Sequence, residues 1–233
     1  MDITEIGRFH SPLKGKFGIP RQSGIAGSLE GYIELSPEFS RREMFRGIEG
    51  FSHLWLLWGF SENGGTWHAT VRPPRLGGNA RIGVFATRSP FRPNGIGLSC
   101  VRLSRIELPR IYVLGADLMD GTPVYDIKPY LAYTDSHPDA SAGFTGEQWP
   151  ECDAVFSEEA EEAMKRHFKG NAGKKMDMLR ELLSQDPRPK YHDDPERVYG
   201  MAFEDGDIHF RVKDNILTVI SFEPARHNMK EES

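Results

Sequence analysis

The stretch Leu98-Ser-Cys-Val-Arg-Leu-Ser-Arg-Ile-Glu107, followed after Leu108-Pro-Arg110 by Ile111-Tyr-Val-Leu-Gly-Ala-Asp117, reads as two β-strands joined by a turn. Working outward, similar short β-rich runs occupy residues 3–10, 32–35, 53–60 and 82–86, each bounded by turn-forming residues. Strands of this length and spacing, set within the first 150 residues, suggest a β-barrel or a strongly curved mixed sheet. One short helix is expected at 41–46, with Ser40 as its N-cap and Gly47 as its stop.

From Ser157 the period changes. Ser157 followed by Glu158, Glu159 and Ala160 reads as a capped helix start, with acids in the first turn where the helix dipole favours them. The acidic run 158–162 then reads as a solvated helix face, and a second helix is expected at 175–183. Two prolines exclude a helix across Gln185-Asp-Pro-Arg-Pro-Lys-Tyr191. Beyond it, runs at 198–204, 208–212 and 217–222, separated by turns at 204–207 and 213–215, predict a three-stranded antiparallel meander. The expected fold is therefore mainly β with an α+β C-terminal unit: residues 1–150 form the barrel and 151–233 a smaller helix-and-antiparallel-sheet unit, with the boundary in the Gly/Pro-containing stretch 142–150. At about 83 residues the second unit is small for an independent core and is expected to lean on the first or on a partner subunit.

Composition narrows the function classes. The 233 residues are 38% hydrophobic and 27% charged, which fits a globular chain and excludes disordered and fibrous ones. The 24 Gly and 16 Pro are aperiodic and read as turns and close backbone approaches. Two cysteines, Cys100 and Cys152, are too few for a disulfide framework and lack zinc-ligand spacing, and no His-x-x-x-His or Asp-rich ligand pattern occurs, so no metal is expected. The start Met1-Asp-Ile-Thr-Glu lacks a signal-peptide pattern and the apolar run 54–60 is far short of a membrane span, so a cytoplasmic protein with no membrane partner is expected. The net charge is −5, yet residues 72–110 hold eight Arg, no Lys and one acid, Glu107, a local charge of +7. Binding of a polyanion by this acidic chain must then be local, with Arg72, Arg75 and Arg92 as exposed candidates, Arg102 and Arg105 as outward-facing strand residues, and Arg188 and Lys190 as a second route.

The densest chemical motif is Ala86-Thr-Arg-Ser-Pro-Phe-Arg-Pro-Asn-Gly-Ile-Gly-Leu-Ser99, a fixed irregular loop that exposes backbone amides beside Arg88 and Arg92 and suits an anion or carboxylate; a scaffold loop is the alternative. Gly95-Ile-Gly97 precedes a strand and lacks the third glycine of a dinucleotide fingerprint. No Gly-x-Ser-x-Gly or P-loop occurs. A second cluster runs from Gly115 to Tyr130: Asp120-Gly121 is a turn signal, and acids here suit ribose hydroxyls or an ammonium group. Its continuation Asp126-Ile-Lys-Pro-Tyr130, read as an extended turn, places a carboxylate, a lysine and an aromatic ring within five residues, and is loosely similar to the acid-Pro-Pro-aromatic signature of amino-group methyltransferases. Val71-Arg-Pro-Pro-Arg-Leu-Gly-Gly78 reads either as a solvated loop or as a phosphate contact. His53, alternating with apolar neighbours, reads as a core histidine rather than a catalytic base.

Taken in order, the segments 17–22, Phe51-Ser-His-Leu-Trp-Leu-Leu-Trp-Gly-Phe60, 71–78, 86–99, Asp117-Leu-Met-Asp-Gly-Thr-Pro123 and 126–130 closely resemble the β-barrel S-adenosylmethionine-dependent tRNA methyltransferases that act on N6 of threonylcarbamoyladenosine beside the anticodon of threonine tRNA. The likeness covers nearly the whole chain and is least past Pro224. It implies an N-terminal barrel carrying the cofactor, a small C-terminal unit and a homodimer. It implies that Arg21, Gln22, Phe60, Ser61, Arg88, Leu98, Asp117, Leu118, Met119, Asp120, Gly121 and Thr122 surround S-adenosylmethionine, with Arg88 on the methionyl carboxylate, an acid on the ammonium or ribose, and Phe60 or Leu98 on adenine. For catalysis, Asp126 is the candidate acceptor or base, Tyr130 the stacking partner, and Lys128 the stabiliser of a negative ureido group or the contact to the threonyl carboxylate. Two other readings stand beside this one: a non-catalytic RNA-binding or S-adenosylmethionine-sensing barrel, and a small-molecule methyltransferase, which leaves the basic tract idle.

Overall fold

The structure is a computed structural model that describes residues 2–73, 76, 79–146, 151–188 and 194–225. In chain order its first strands are β1 (Gly7–His10), β2 (Glu30–Leu35), β3 (His53–Gly59), β4 (Thr70–Val71), β5 (Ile82–Gly83), β6 (Ile96–Glu107), β7 (Arg110–Leu114) and β8 (Pro123–Pro129). Six of them close into a barrel in the order β1-β2-β7-β6-β3-β8, while β4 and β5 form a separate two-stranded arm. Closure follows from period-two patterning: Phe9, Ile33, Leu54, Leu56, Val101, Ile111, Val113 and Val124 are at most 1% exposed and fill the interior.

The register fixes what faces outward. Leu57 lies opposite Leu98 of β6 and Asp126 of β8, and Trp55 lies opposite Cys100 and Lys128. Trp58 points inward, opposite Gly97, and its ring occupies the space a side chain at 97 would need. The indole Nε1 donates to Ser99 Oγ at 2.9 Å, which holds the ring over the glycine.

The second unit follows α1 (Ala132–Asp135). Strand β9 (Asp153–Phe156) leads to α2 (Glu158–Phe168) and α3 (Ala172–Ser184), then β10 (Tyr199–Phe203), β11 (Gly206–Lys213) and β12 (Ile216–Pro224). Ser157 caps α2, its Oγ accepting the Ala160 amide at 3.1 Å. The expected meander forms as β10-β11-β12, its last turn made by Asp214 and Asn215, both at positive φ as a two-residue hairpin loop requires. Met164, Leu179, Leu182 and Leu183 pack on Phe203, Phe210 and Val219, and Leu13, Ala26 and Leu29 from the N-terminal segment complete that same core. The smaller unit does lean on the first.

Several expectations change. Residues 41–46 are not an α-helix but a 3-10 turn, Arg42–Phe45, with no buried face to stabilise a longer one; Ser40 does not cap it, its Oγ donating instead to Pro37 O at 3.1 Å. The run at 82–86 is a two-residue strand followed by the 3-10 turn Val84–Ala86, and the run at 111–117 ends at Leu114 because Gly115 takes φ 76°. Residues 126–129, read as a turn, belong to a barrel strand, β8, whose prolines stand at its two ends, where a missing N–H is tolerated. Strand β9, too short to signal itself, adds a parallel fourth member to the meander. His53 is not in the core: it lies half-exposed on the outer barrel face, its Nδ1 2.9 Å from Ser52 Oγ.

Gly97→Ala is expected to lower stability by about 1–3 kcal/mol through overpacking, because its Cβ would stand 2.3 Å from the Trp58 ring. Gly173→Ala, with open space around it in α3, serves as the control and should not destabilise. Thermal unfolding of the two variants decides it; an unchanged midpoint in Gly97→Ala means that the Trp58 ring is not fixed.

Candidate functional site

At one end of the barrel a cavity of about 840 Å³ opens between the ends of β3 and β6 and the loops around residues 16–23, 60–63, 87–92 and 117–122. That is a volume suited to a cofactor-sized ligand. Its apolar wall is aromatic: Phe60 stands edge-on to Trp58 with ring centroids 4.5 Å apart, and Trp55, Phe91, Ile96 and Leu98 continue it. Its polar wall holds Arg21, Gln22, Ser61, Arg88, Asp117 and Thr122. Arg88 Nη1 donates to Gln22 Oε1, linking the 86–99 loop to the N-terminal loop. Asn63 Nδ2 donates to Pro90 O at 2.7 Å and ties a third loop to the same rim.

The acids of 117–120 have opposite roles. Asp117 lines the cavity, and burial pushes its carboxyl above the ordinary range, against the lowering effect of the Ser99 hydroxyl and of the Arg88 charge. Ser99 is fully buried and accepts the Trp58 N–H, so its single proton goes to Asp117 Oδ1. A tryptophan that only donates therefore sets the direction of the whole relay. Asp120 does not line the cavity. Partial burial raises its pKa, but Lys14 at 2.9 Å, the Ser11 amide at 3.0 Å and His10 outweigh that, and its carboxyl lies below the ordinary range.

Of the other residues singled out from the sequence, Met119 lines the cavity, whereas Leu118 is 1% exposed within the barrel core and Gly121 makes a turn at φ 80° whose carbonyl accepts from Arg8. Asp126, Lys128 and Tyr130 lie just outside it on the adjoining outer face. Lys128 Nζ is 2.6 Å from Asp126 Oδ2, and the Tyr130 ring packs 5.5 Å from Trp55, whose indole donates to Asp135 Oδ2 at 2.8 Å.

The basic tract is divided. Arg105 pairs with Glu107 and Glu30, and Arg110 with Glu34, so these two charges are met on the barrel wall. Arg92 donates to Thr87 O and Ser89 O and braces its own loop. Arg72 and Arg102 are exposed, and Arg188 is paired with Asp186 at 2.8 Å. Arg75 and Lys190 lie outside the described residues. Trp55, Trp58, Ser99 and Cys100 escaped the sequence reading because only strand register brings them to the site. Among the described residues no cluster of His, Cys, Asp and Glu could hold a metal, and no helix is long and apolar enough to cross a membrane.

Residues 8–136 match the family model of the tRNA-methyltransferase O N-terminal domain, and residues 150–225 that of the TrmO C-terminal domain. The chain is 43% identical over 230 residues to the tRNA (adenine(37)-N6)-methyltransferase of Escherichia coli K12, covering 95% of this chain and 97% of that one. It is 42% identical over 210 residues to a putative S-adenosylmethionine-dependent methyltransferase, RcsF, of Pseudomonas aeruginosa, covering 89% and 91%. A crystal structure of TrmO from Pseudomonas aeruginosa superposes with a TM-score of 0.81 at 35% identity, over 95% of this chain and 97% of that one.

Because charging Asp117 costs more in the folded than in the unfolded chain, its ionisation lowers stability as pH rises from the ordinary carboxylate range through the raised folded value. Asp117→Asn keeps an acceptor for Ser99 without the charge. It should unfold at a higher temperature than the parent at pH 7, and the gap should close as pH falls below the carboxylate range. A variant less stable than the parent at pH 7 means the burial cost is not there.

Proposed function

Because the chain belongs to the tRNA-methyltransferase O family, we propose that it transfers a methyl group from S-adenosylmethionine to N6 of adenosine 37 in tRNA, the adenosine carrying a threonylcarbamoyl group, as in threonine tRNA. The observation that carries this reading is the convergence, in one barrel-end cavity, of a half-buried carboxylate, an exposed guanidinium and an aromatic wall. These residues fit the cofactor's three parts: Arg88 would pair with its carboxylate, Asp117 would accept from its ammonium or ribose, and Phe60 with Leu98 would pack on its adenine. When bound, the cofactor supplies an electrophilic methyl group on a sulfonium.

The chain's own work is alignment and proton handling. Asp126 lies in register with Leu57, itself in register with the cavity residue Leu98, and so stands two strands from it on the outer barrel face. It accepts the N6 proton, which is easier to remove from a ureido-like nitrogen. Lys128, its ion-pair partner, holds the negative charge that develops or meets the threonyl carboxylate, and Tyr130, supported by Trp55, stacks on the base.

Arg72, Arg75 and Arg92, with Arg188 and Lys190 as a second route, are the proposed tRNA phosphate contacts. Among these Arg72 is exposed, whereas Arg188 must release Asp186 to serve. The molecule acts in the cytoplasm as a homodimer: Phe85, 80% exposed beside the cavity loops, belongs to the apolar surface a second copy would cover. Its working units divide near residue 150, the cofactor on the first.

Three measurements test this. Mass spectrometry of tRNA nucleosides from cells with and without the protein should show loss of the N6-methyl form only in its absence, and purified protein should methylate tRNA bearing the threonylcarbamoyl group far better than an unmodified transcript, since a site built for that group is left with unpaired polar partners. Equal methylation of both removes the threonylcarbamoyl part of the proposal. Arg88→Ala should weaken S-adenosylmethionine binding by about 1.5–3 kcal/mol in calorimetric titration, the worth of a charge-assisted pair, and an unchanged dissociation constant takes Arg88 out of the site.

A further inference from the structure

We infer that Glu181, on α3 of the C-terminal unit, is a positioning residue for the cofactor cavity, acting through the N-terminal loop that forms one of its walls. The inference rests on the reading of that cavity as an S-adenosylmethionine site. Arg21, Gln22 and Ser23 line the cavity, and the chain carrying them is gripped from both sides. On the barrel side, the Gly24 amide donates to Gly115 O at 2.8 Å and the Gly115 amide to Leu29 O at 2.9 Å, which joins the loop to the strand end leading to Asp117. On the other side, Glu181 Oε1 accepts the Gly27 amide at 2.6 Å and Oε2 the Ser28 amide at 2.8 Å. Each carboxylate oxygen takes one backbone donor, the arrangement in which a charged acceptor binds and orients most strongly.

Further contacts run the same way. Arg21 Nη2 donates to Asp186 O at 3.1 Å, just past the end of α3. Phe17 and Ile19 pack against the C-terminal core, and Gly18, at φ 90°, lets Met201 of β10 approach where any side chain would collide. The C-terminal unit thus acts as a brace for a wall of the barrel's cavity, and Glu181 is the polar fixing point that holds two loop amides at once.

A glutamine at 181 has nearly the same shape but one acceptor oxygen, and its amide group would confront one of the two loop N–H groups, donor against donor. Glu181→Gln in the full chain should therefore raise the dissociation constant for S-adenosylmethionine about tenfold, with kcat at saturating cofactor within about twofold of the parent. Hydrogen exchange of residues 20–29, measured without cofactor, should accelerate. Val212→Ala, which trims the same core from β11, controls for general loosening: it should lower the unfolding temperature but leave cofactor affinity and loop exchange as in the parent. The inference is overturned if Glu181→Gln leaves loop exchange unchanged, or if Val212→Ala shifts affinity and exchange as much. Should the parent itself not bind S-adenosylmethionine, the cavity reading fails on that result alone, while the exchange comparison still decides whether Glu181 braces the loop.

Discussion

The seam that closes the barrel is the constraint on which the cavity depends. Strand β1 is four residues long, yet it pairs with β2 on one side and with β8 on the other. The pairing continues beyond the strands: the Phe9 amide donates to Thr122 O and the Gly121 amide to Phe9 O, both at 2.8 Å, while the Asp120 amide donates to Leu13 O at 3.0 Å. Asp120 then takes the Ser11 amide and Lys14 on its carboxylate. A short strand carries too few ladder bonds to fix register alone, and these contacts supply the remainder. With the seam open, 117–122 and the N-terminal loop, both cavity walls, would lose these contacts and keep those at Gly115.

Only two residues separate Asp117 from Asp120, and the fold drives their carboxyls in opposite directions. The difference is environmental. Asp117 is packed among buried neighbours, with the relay from Trp58 through Ser99 on one oxygen and Arg88 at a distance, so desolvation dominates. Asp120 keeps contact with solvent, a lysine and a backbone donor, so its partners dominate. One acid is held at a cost to stability where a ligand can use it, and the other is structural, a division often seen where a fold maintains a binding site.

The C-terminal unit belongs to the same design. Its core is completed by Leu13, Ala26 and Leu29, residues of the loop that also carries Arg21 and Gln22 into the cavity. A unit of this size gains by borrowing apolar surface from its neighbour, and the borrowing fixes the loop. Stability of the small unit and geometry of the cavity are for this reason coupled through one segment of chain.

Local chemistry made much of this legible. The β-rich runs, the Ser157 cap, the meander with its Asp214-Asn215 turn, and the irregular 86–99 loop are written in short-range patterns of side-chain type, where propensity and turn stereochemistry decide. The family resemblance came from such segments taken in order. Strand β8 is not legible because prolines at its ends imitate a turn, β9 because four residues carry no periodicity, and 41–46 stays a 3-10 turn because a helix pattern without a buried face has nothing to pack against. Among candidate site residues, the sequence supplied side-chain types but not their surroundings: Leu118 turned into the core, Asp120 into the seam, and Arg105 onto Glu30 and Glu107. The sequence by itself determined most of the strands, the two long helices and the irregular 86–99 loop, since those depend on neighbours along the chain. Only the tertiary structure decided that Trp58, Ser99 and Asp117 form one relay and that Glu181 reaches the loop at Gly27, because strand register and barrel closure join residues far apart in sequence.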